Sequence, residues 1–304
     1  MAARSLVKSK IGLAVVVIFA ISIALLPPVR AFTAQTPLTP SDIRAAYDVD
    51  PLIRSGYTGR GVTVAIIGYG IGPTFYSDVK SFSREYGLPD PSISYVATYG
   101  TEGTQLTNLP NSGSGEITGD TELVHAMAPD AKILLVSASN KFLDGSPYVI
   151  DHNAADVVTS SYGVALHENG DGSASRQAQS YNDEYAKAVS EHITLIAASG
   201  DTGSNNSFGQ CANFLPYCYL MPTYSPWITI VGGTELQVDP YREVGWVGSA
   251  GGVSNLFPEP AWQTGFGVPQ NSRRNIPDIA LAACDPDITL RVLLQQQPSH
   301  VLRG

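Results

Sequence analysis

Residues 62–73 read Val-Thr-Val-Ala-Ile-Ile-Gly-Tyr-Gly-Ile-Gly-Pro, and a helical pattern follows from Thr74 to Tyr86. A short run of β-branched and apolar residues, closed by a glycine turn and a helix, predicts a strand-turn-helix unit. The rhythm returns downstream, with strand patterns at Lys132–Ser137, Val157–Ser161 and Thr194–Ala198 and a helical pattern at Gln177–Glu191. These strands are nearly all apolar rather than alternating, as expected where both faces are covered. The predicted fold is α/β, a three-layer arrangement with a mostly parallel sheet and helices on both faces. Polar, glycine-rich loops are predicted at 98–115, 139–153 and 167–175. The turn at 68–73 superficially resembles a dinucleotide fingerprint. Pro73 stands where the third glycine would be, so the turn reads as a tight strand-to-helix connection.

The 304 residues are 43% hydrophobic and only 15% charged, enough to bury one sizeable core. A net charge of −9 and no basic run after residue 10 argue against nucleic acid as a partner. At the amino terminus Arg4, Lys8 and Lys10 precede an apolar run of 16 residues, Ile11 to Leu26. This is read as a signal peptide over 1–31, or an uncleaved membrane anchor, with a domain at 32–304 outside the cell. A possible tether is thus part of the expectation, and a monomer is expected. Cys211 and Cys218 are close enough in sequence to bridge one loop, leaving Cys284 odd, and Asn205-Asn206-Ser207 is a glycosylation sequon.

Function in open parallel sheets gathers beyond the carboxyl ends of the strands. Two sequences there draw notice. Glu116 and Asp120 stand four apart at the start of a helical pattern, which places both carboxylates on one helix face. Their bland reading is that both, together with Glu122, meet the positive end of the helix dipole. Ala198-Ser199-Gly200-Asp201-Thr202-Gly203 ends a strand with glycines around a carboxylate, and its bland reading is an Asx-type turn. With Ser160-Ser161-Tyr162-Gly163, three strand ends of one sheet could converge on one cleft.

In this order the chain resembles the sedolisins, or serine-carboxyl peptidases, from about Thr39 to Pro286. The motifs are Glu116/Asp120 with His125-Ala126-Met127-Ala128-Pro129, Ser161-Tyr162-Gly163, Ser199-Gly200-Asp201, Ser225-Pro226-Trp227 with Val231-Gly232-Gly233-Thr234, Gly251-Gly252-Val253-Ser254, Pro260-Ala261-Trp262-Gln263 and Ile276-Pro277-Asp278. The resemblance implies a subtilisin-like fold and a secreted serine-type endopeptidase acting on polypeptides at acidic pH with a Ser-Glu-Asp triad. Glu116 would be the general base, Asp120 the carboxylate behind it, and Asp201 the acid of the oxyanion hole. Ser161, Tyr162 and Gly163 would line the substrate site. An acid can donate to an oxyanion only while protonated, and Glu116 is a weaker base than histidine, so the site suits low pH. Subtilisin chemistry itself needs a histidine in a Gly-Thr-His setting, and none of the five histidines has one. His125 is read as a packed histidine.

The chain departs from the family at its carboxyl end. After Ile276-Pro277-Asp278 the family pattern runs to a Gly-Thr-Ser-Ala string whose serine is the nucleophile. Here the sequence runs Asp285-Pro286-Asp287-Ile288-Thr289, and Ser299 has no flanking glycine or alanine. The expectation is a catalytic domain cut short, by truncation or frame shift, with no nucleophile found. The family calcium site lies in the same stretch, so no metal or other cofactor is expected in this chain. The family usually carries a long propeptide, and the expectation here is only about ten residues between Ala31 and the domain, with a propeptide either encoded elsewhere or not needed. The alternative is an inactive, peptide-binding member of the fold. A surface-layer protein would show repeats or all-β alternation, and neither is present.

Overall fold

The computed structural model describes residues 38–98, 114–138, 145–203, 218–238, 240–265, 267–269 and 271–283. The apolar amino-terminal run, the sequon, Cys211, Cys284 and the stretch carrying Ser299 lie outside the described residues. Cys218 is disulfide-bonded, and its partner lies outside them too.

The predicted strands are β1 (Thr63–Gly68), β3 (Lys132–Ser137), β4 (Val157–Ser160) and β6 (Thr194–Ala198). Around them lie β2 (Ser92–Ala97), β5 (Val164–His167), β7 (Cys218–Met221), β8 (Thr229–Val238), β9 (Tyr241–Gly245), β10 (Gly252–Pro258), β11 (Arg273–Ile276) and β12 (Ile279–Ala282). The main sheet runs β2-β3-β1-β4-β6-β8-β12 with every neighbouring pair parallel, and β9 folds back antiparallel on β8. Two small antiparallel pairs, β5 with β7 and β10 with β11, complete the described strands.

The α-helices among the described residues are α1 (Pro40–Ala46), α2 (Val49–Arg54), α3 (Phe75–Glu85), α4 (Ser114–Met127), α5 (Gly145–Asp151) and α6 (Ser173–Ser190). The α5 helix falls inside 139–153, which the sequence pattern assigns to a loop. Seven residues are too few to establish a helical period, and here Ser146, Val149 and Ile150 are fixed by burial instead. Helix α1 is the opposite case, because Thr39 and Asp42 form a reciprocal capping box and Pro40 occupies the first turn.

Side chains of β1 alternate between two layers. Ala65 and Ile67 join Val136, Val158, Leu195 and Ala197 against Val149, Ile150, Ala178 and Tyr185 of α5 and α6. Ile66 joins Ile133 and Leu135 against Phe75 and Val79 of α3 and Ile117 of α4. The all-apolar strands therefore serve two cores, one on each face.

From β1 the chain moves to the β2 side of the sheet, and from β4 it moves to the β6 side. The carboxyl ends of β1 and β4 thus flank the point where the strand order reverses, where open α/β sheets place a ligand crevice.

Candidate active site

Gly68 ends β1 at this reversal point. A Cβ added there would lie 1.9 Å from Ile117 Cδ1. Only a glycine lets α4 settle this closely on the strand end. Ile117 is buried, and its neighbours Glu116 and Asp120 are exposed and half-buried respectively.

The turn after β4 meets this helix. Ser160 Oγ lies 3.3 Å from the Tyr162 backbone nitrogen, which donates to it. Ser161 Oγ lies 3.0 Å from Asp120 Oδ1 and 3.1 Å from Oδ2. The Tyr162 ring packs edge-on against Tyr69, with centroids 5.2 Å apart. The turn after β6 brings the third acid. Ser199 N donates to Val231 O at 2.8 Å and Ala250 N to Gly200 O at 2.8 Å. Gly200 adopts φ 109°, a value side chains disfavour, and Asp201 is left exposed beside the crevice.

The electrostatics couple the three acids. Burial, then the neighbouring Glu116 charge, lifts Asp120 to about 7 against the opposing hydrogen bond from Ser161. Glu116 has side-chain surface open to water, yet protein crowds its carboxyl. That crowding, then the charge of Asp201, raises its pKa, while Ser161 lowers it. Asp201 likewise keeps side-chain surface open to water, and the crowding of its carboxyl by surrounding protein raises its pKa. The Tyr162 phenol is pushed up by burial and by Glu116 and Asp120, so it stays neutral. Carboxyls this close titrate as a set, holding protons at pH values where isolated ones are ionised. Such a set can take a proton, pass one between members and donate a hydrogen bond.

The chain is 30% identical over 288 residues to kumamolisin of Bacillus sp. (strain MN-32), spanning 88% of this chain and 50% of that protein. It is 39% identical over 241 residues to tripeptidyl-peptidase 1 of Canis lupus familiaris, spanning 74% of this chain and 40% of that protein. It belongs to the sedolisin family.

The fold agrees. Pseudomonas sedolisin, a serine-carboxyl proteinase solved with two molecules of pseudo-iodotyrostatin, superposes with a TM-score of 0.67 at 24% identity, over 84% of this chain and 73% of that one. No protein-family model matches the chain. This sedolisin spans half the length of kumamolisin and less of tripeptidyl-peptidase 1.

Other motif residues of this sedolisin serve the frame. His125 is fully buried, with Nε2 2.8 Å from Pro89 O, and burial lowers its pKa. Asp278 accepts from Ile230 N at 2.8 Å, Gln263 Nε2 at 2.9 Å and both terminal nitrogens of Arg274 at 2.7 and 2.6 Å. Arg274 is wholly buried, bonds the carbonyls of Ser225, Ile228 and Asn275, and lies 4.9 Å from the Trp262 ring centre. One guanidinium thus unites the motifs around 225, 260 and 276. Arg274 is not among the residues that the sequence pattern singles out, although an arginine four residues before an aspartate was the available signal.

Glu122 was also missed as a buried group. It faces Asp78 across the α3–α4 contact, fully buried, and neither of its carboxyl oxygens has a hydrogen-bond partner among the described residues. Among the described residues no three His, Cys, Asp or Glu side chains group to hold a metal ion.

Proposed function

We propose that this chain carries the acid-base half of an extracellular, acid-active serine-carboxyl endopeptidase acting on polypeptides. The observation that supports this best is the meeting of Glu116, Asp120 and Asp201 at the carboxyl ends of β1, β4 and β6, with their proton affinities raised together. In this reading Glu116 takes the proton of a serine hydroxyl as it attacks the scissile carbonyl. Asp120, behind it, holds a proton that steadies Glu116 as it alternates between base and acid. Protonated Asp201 donates a hydrogen bond to the oxyanion. Ser161, Tyr162 and Gly163 form the wall along which the substrate lies. The amino-terminal apolar run would export the domain or tether it to the outer face of the membrane.

A second reading has its own support, since the sequence after Asp278 contains no Gly-Thr-Ser-Ala string. The domain would then bind polypeptides in the same crevice without cleaving them. One assay separates the two. Acid-denatured protein is incubated at pH 4 with the chain extended through a Gly-Thr-Ser-Ala segment that supplies the serine, and new amino termini are counted beside those made by its Glu116→Gln variant. The peptidase reading expects hydrolysis that the variant lowers by about 10²- to 10⁴-fold, the usual share of a general base. Binding of the substrate with no cleavage by either protein would leave only the second reading.

A further inference from the structure

Ser161 does more in this geometry than line a wall. Its side chain turns toward α4, and its hydroxyl oxygen is almost equidistant from both oxygens of Asp120, at 3.0 and 3.1 Å. A hydroxyl has one proton to donate, and here that proton is shared across the carboxyl group. The same hydroxyl also acts to lower the pKa of the neighbouring Glu116. The turn that carries Ser161 is itself fixed, through Ser160 and the Tyr69–Tyr162 ring contact.

We propose that Ser161 is a positioning residue: its hydroxyl fixes the plane of the Asp120 carboxyl and sets how tightly that group holds its proton. The groups facing Asp120 are Glu116 on its own helix, Tyr162 after β4 and Tyr69 beside Tyr162, with Asp201 acting through Glu116. Burial and then the Glu116 charge drive Asp120 toward the neutral form, while Ser161 opposes them. Without Ser161, Asp120 would keep its proton to higher pH, and its ring of possible orientations would widen. The role in catalysis rests on reading Glu116 and Asp120 as the base pair, but the contact and its effect on the proton do not.

The test therefore avoids turnover. The full chain, labelled with ¹³C at aspartate and glutamate carboxyls, is titrated by NMR, with Asp120 assigned by an Asp120→Asn variant. In Ser161→Ala the Asp120 midpoint should rise by about one pH unit, the usual worth of a hydrogen bond to a charged group. Ser161→Thr should restore it, and the Glu122 midpoint should not move. If the alanine variant fails to fold, Ser161→Cys, whose thiol is a poor donor, should show the same upward shift. An unmoved midpoint, or one that threonine does not restore, overturns the proposal. Loss of cleavage without this shift, or the shift in a chain that cleaves nothing, separates the fate of this proposal from that of the peptidase reading.

Discussion

Asp201 can act as an oxyanion donor only while it keeps its proton, and burial is what raises its proton affinity. Its acidic group has a folded-state pKa above the ordinary value, so the donor is complete at low pH and disappears as pH rises through the folded value. In the chain extended to supply the serine, Asp201→Ala should reduce cleavage of denatured protein about 10²- to 10³-fold at pH 4, the cost of losing one such donor. Asp201→Asn keeps an N–H donor at every pH. Its rate should lie between those of wild type and alanine at pH 4 and should fall less steeply toward pH 7. Parallel profiles for wild type and asparagine would remove Asp201 from the oxyanion role. This residue was legible from its glycine-flanked setting, but the coupling of its charge to Glu116 was not, because 85 residues of chain separate them.

Helix α4 links the site to the core, since Ile117 packs on Gly68 while Glu116 and Asp120 stand beside it on the crevice. Gly68→Ala puts a methyl group 1.9 Å from Ile117 Cδ1, so the Ile117 side chain, or the helix that carries it, must shift. Overpacking of this kind costs about 1–3 kcal/mol. The expected result is a lower thermal midpoint and, because the acids move with the helix, a larger fall in kcat than in substrate affinity. Equal stability and equal turnover in the variant would show that the strand end is not fixed by this contact. The strands β1, β3, β4 and β6 were readable because burial on both faces leaves an unbroken apolar run. The pairs β5–β7 and β10–β11 were not, since short antiparallel strands depend on partners distant in sequence. Helix α5 was hidden for a similar reason, its residues held by Ile67 and Ala138 rather than by a helical period.

At the scale of the whole molecule the buried acids act in one direction. Asp120 is raised from 3.8 to about 7, and Glu122 from 4.5 to about 8, the latter by burial and then by the Asp78 charge. A raised acid contributes stability in full below its unfolded pKa and loses that contribution as pH rises through its folded pKa. The loss from Asp120 therefore falls between about pH 4 and 7, and that from Glu122 between about pH 4.5 and 8. Glu243 has the opposite sign, since hydrogen bonds from Thr234 and Tyr47 lower it, so its contribution is lost only in stronger acid. The net charge of −9 adds self-repulsion at the same neutral end of the range. The fold should be most stable in mild acid, near pH 4 to 5, and its thermal midpoint should fall steadily toward pH 9. Glu122→Gln tests whether α4 carries a share of this. The amide is neutral at every pH and close in shape, so the variant should match wild type at pH 4.5 and melt higher at pH 8.5. If the two proteins lost stability in step between those values, the buried carboxyl between α3 and α4 would have no part in the acid preference. The slope would then belong to the exposed crevice acids and to net charge, and added salt would flatten it by screening.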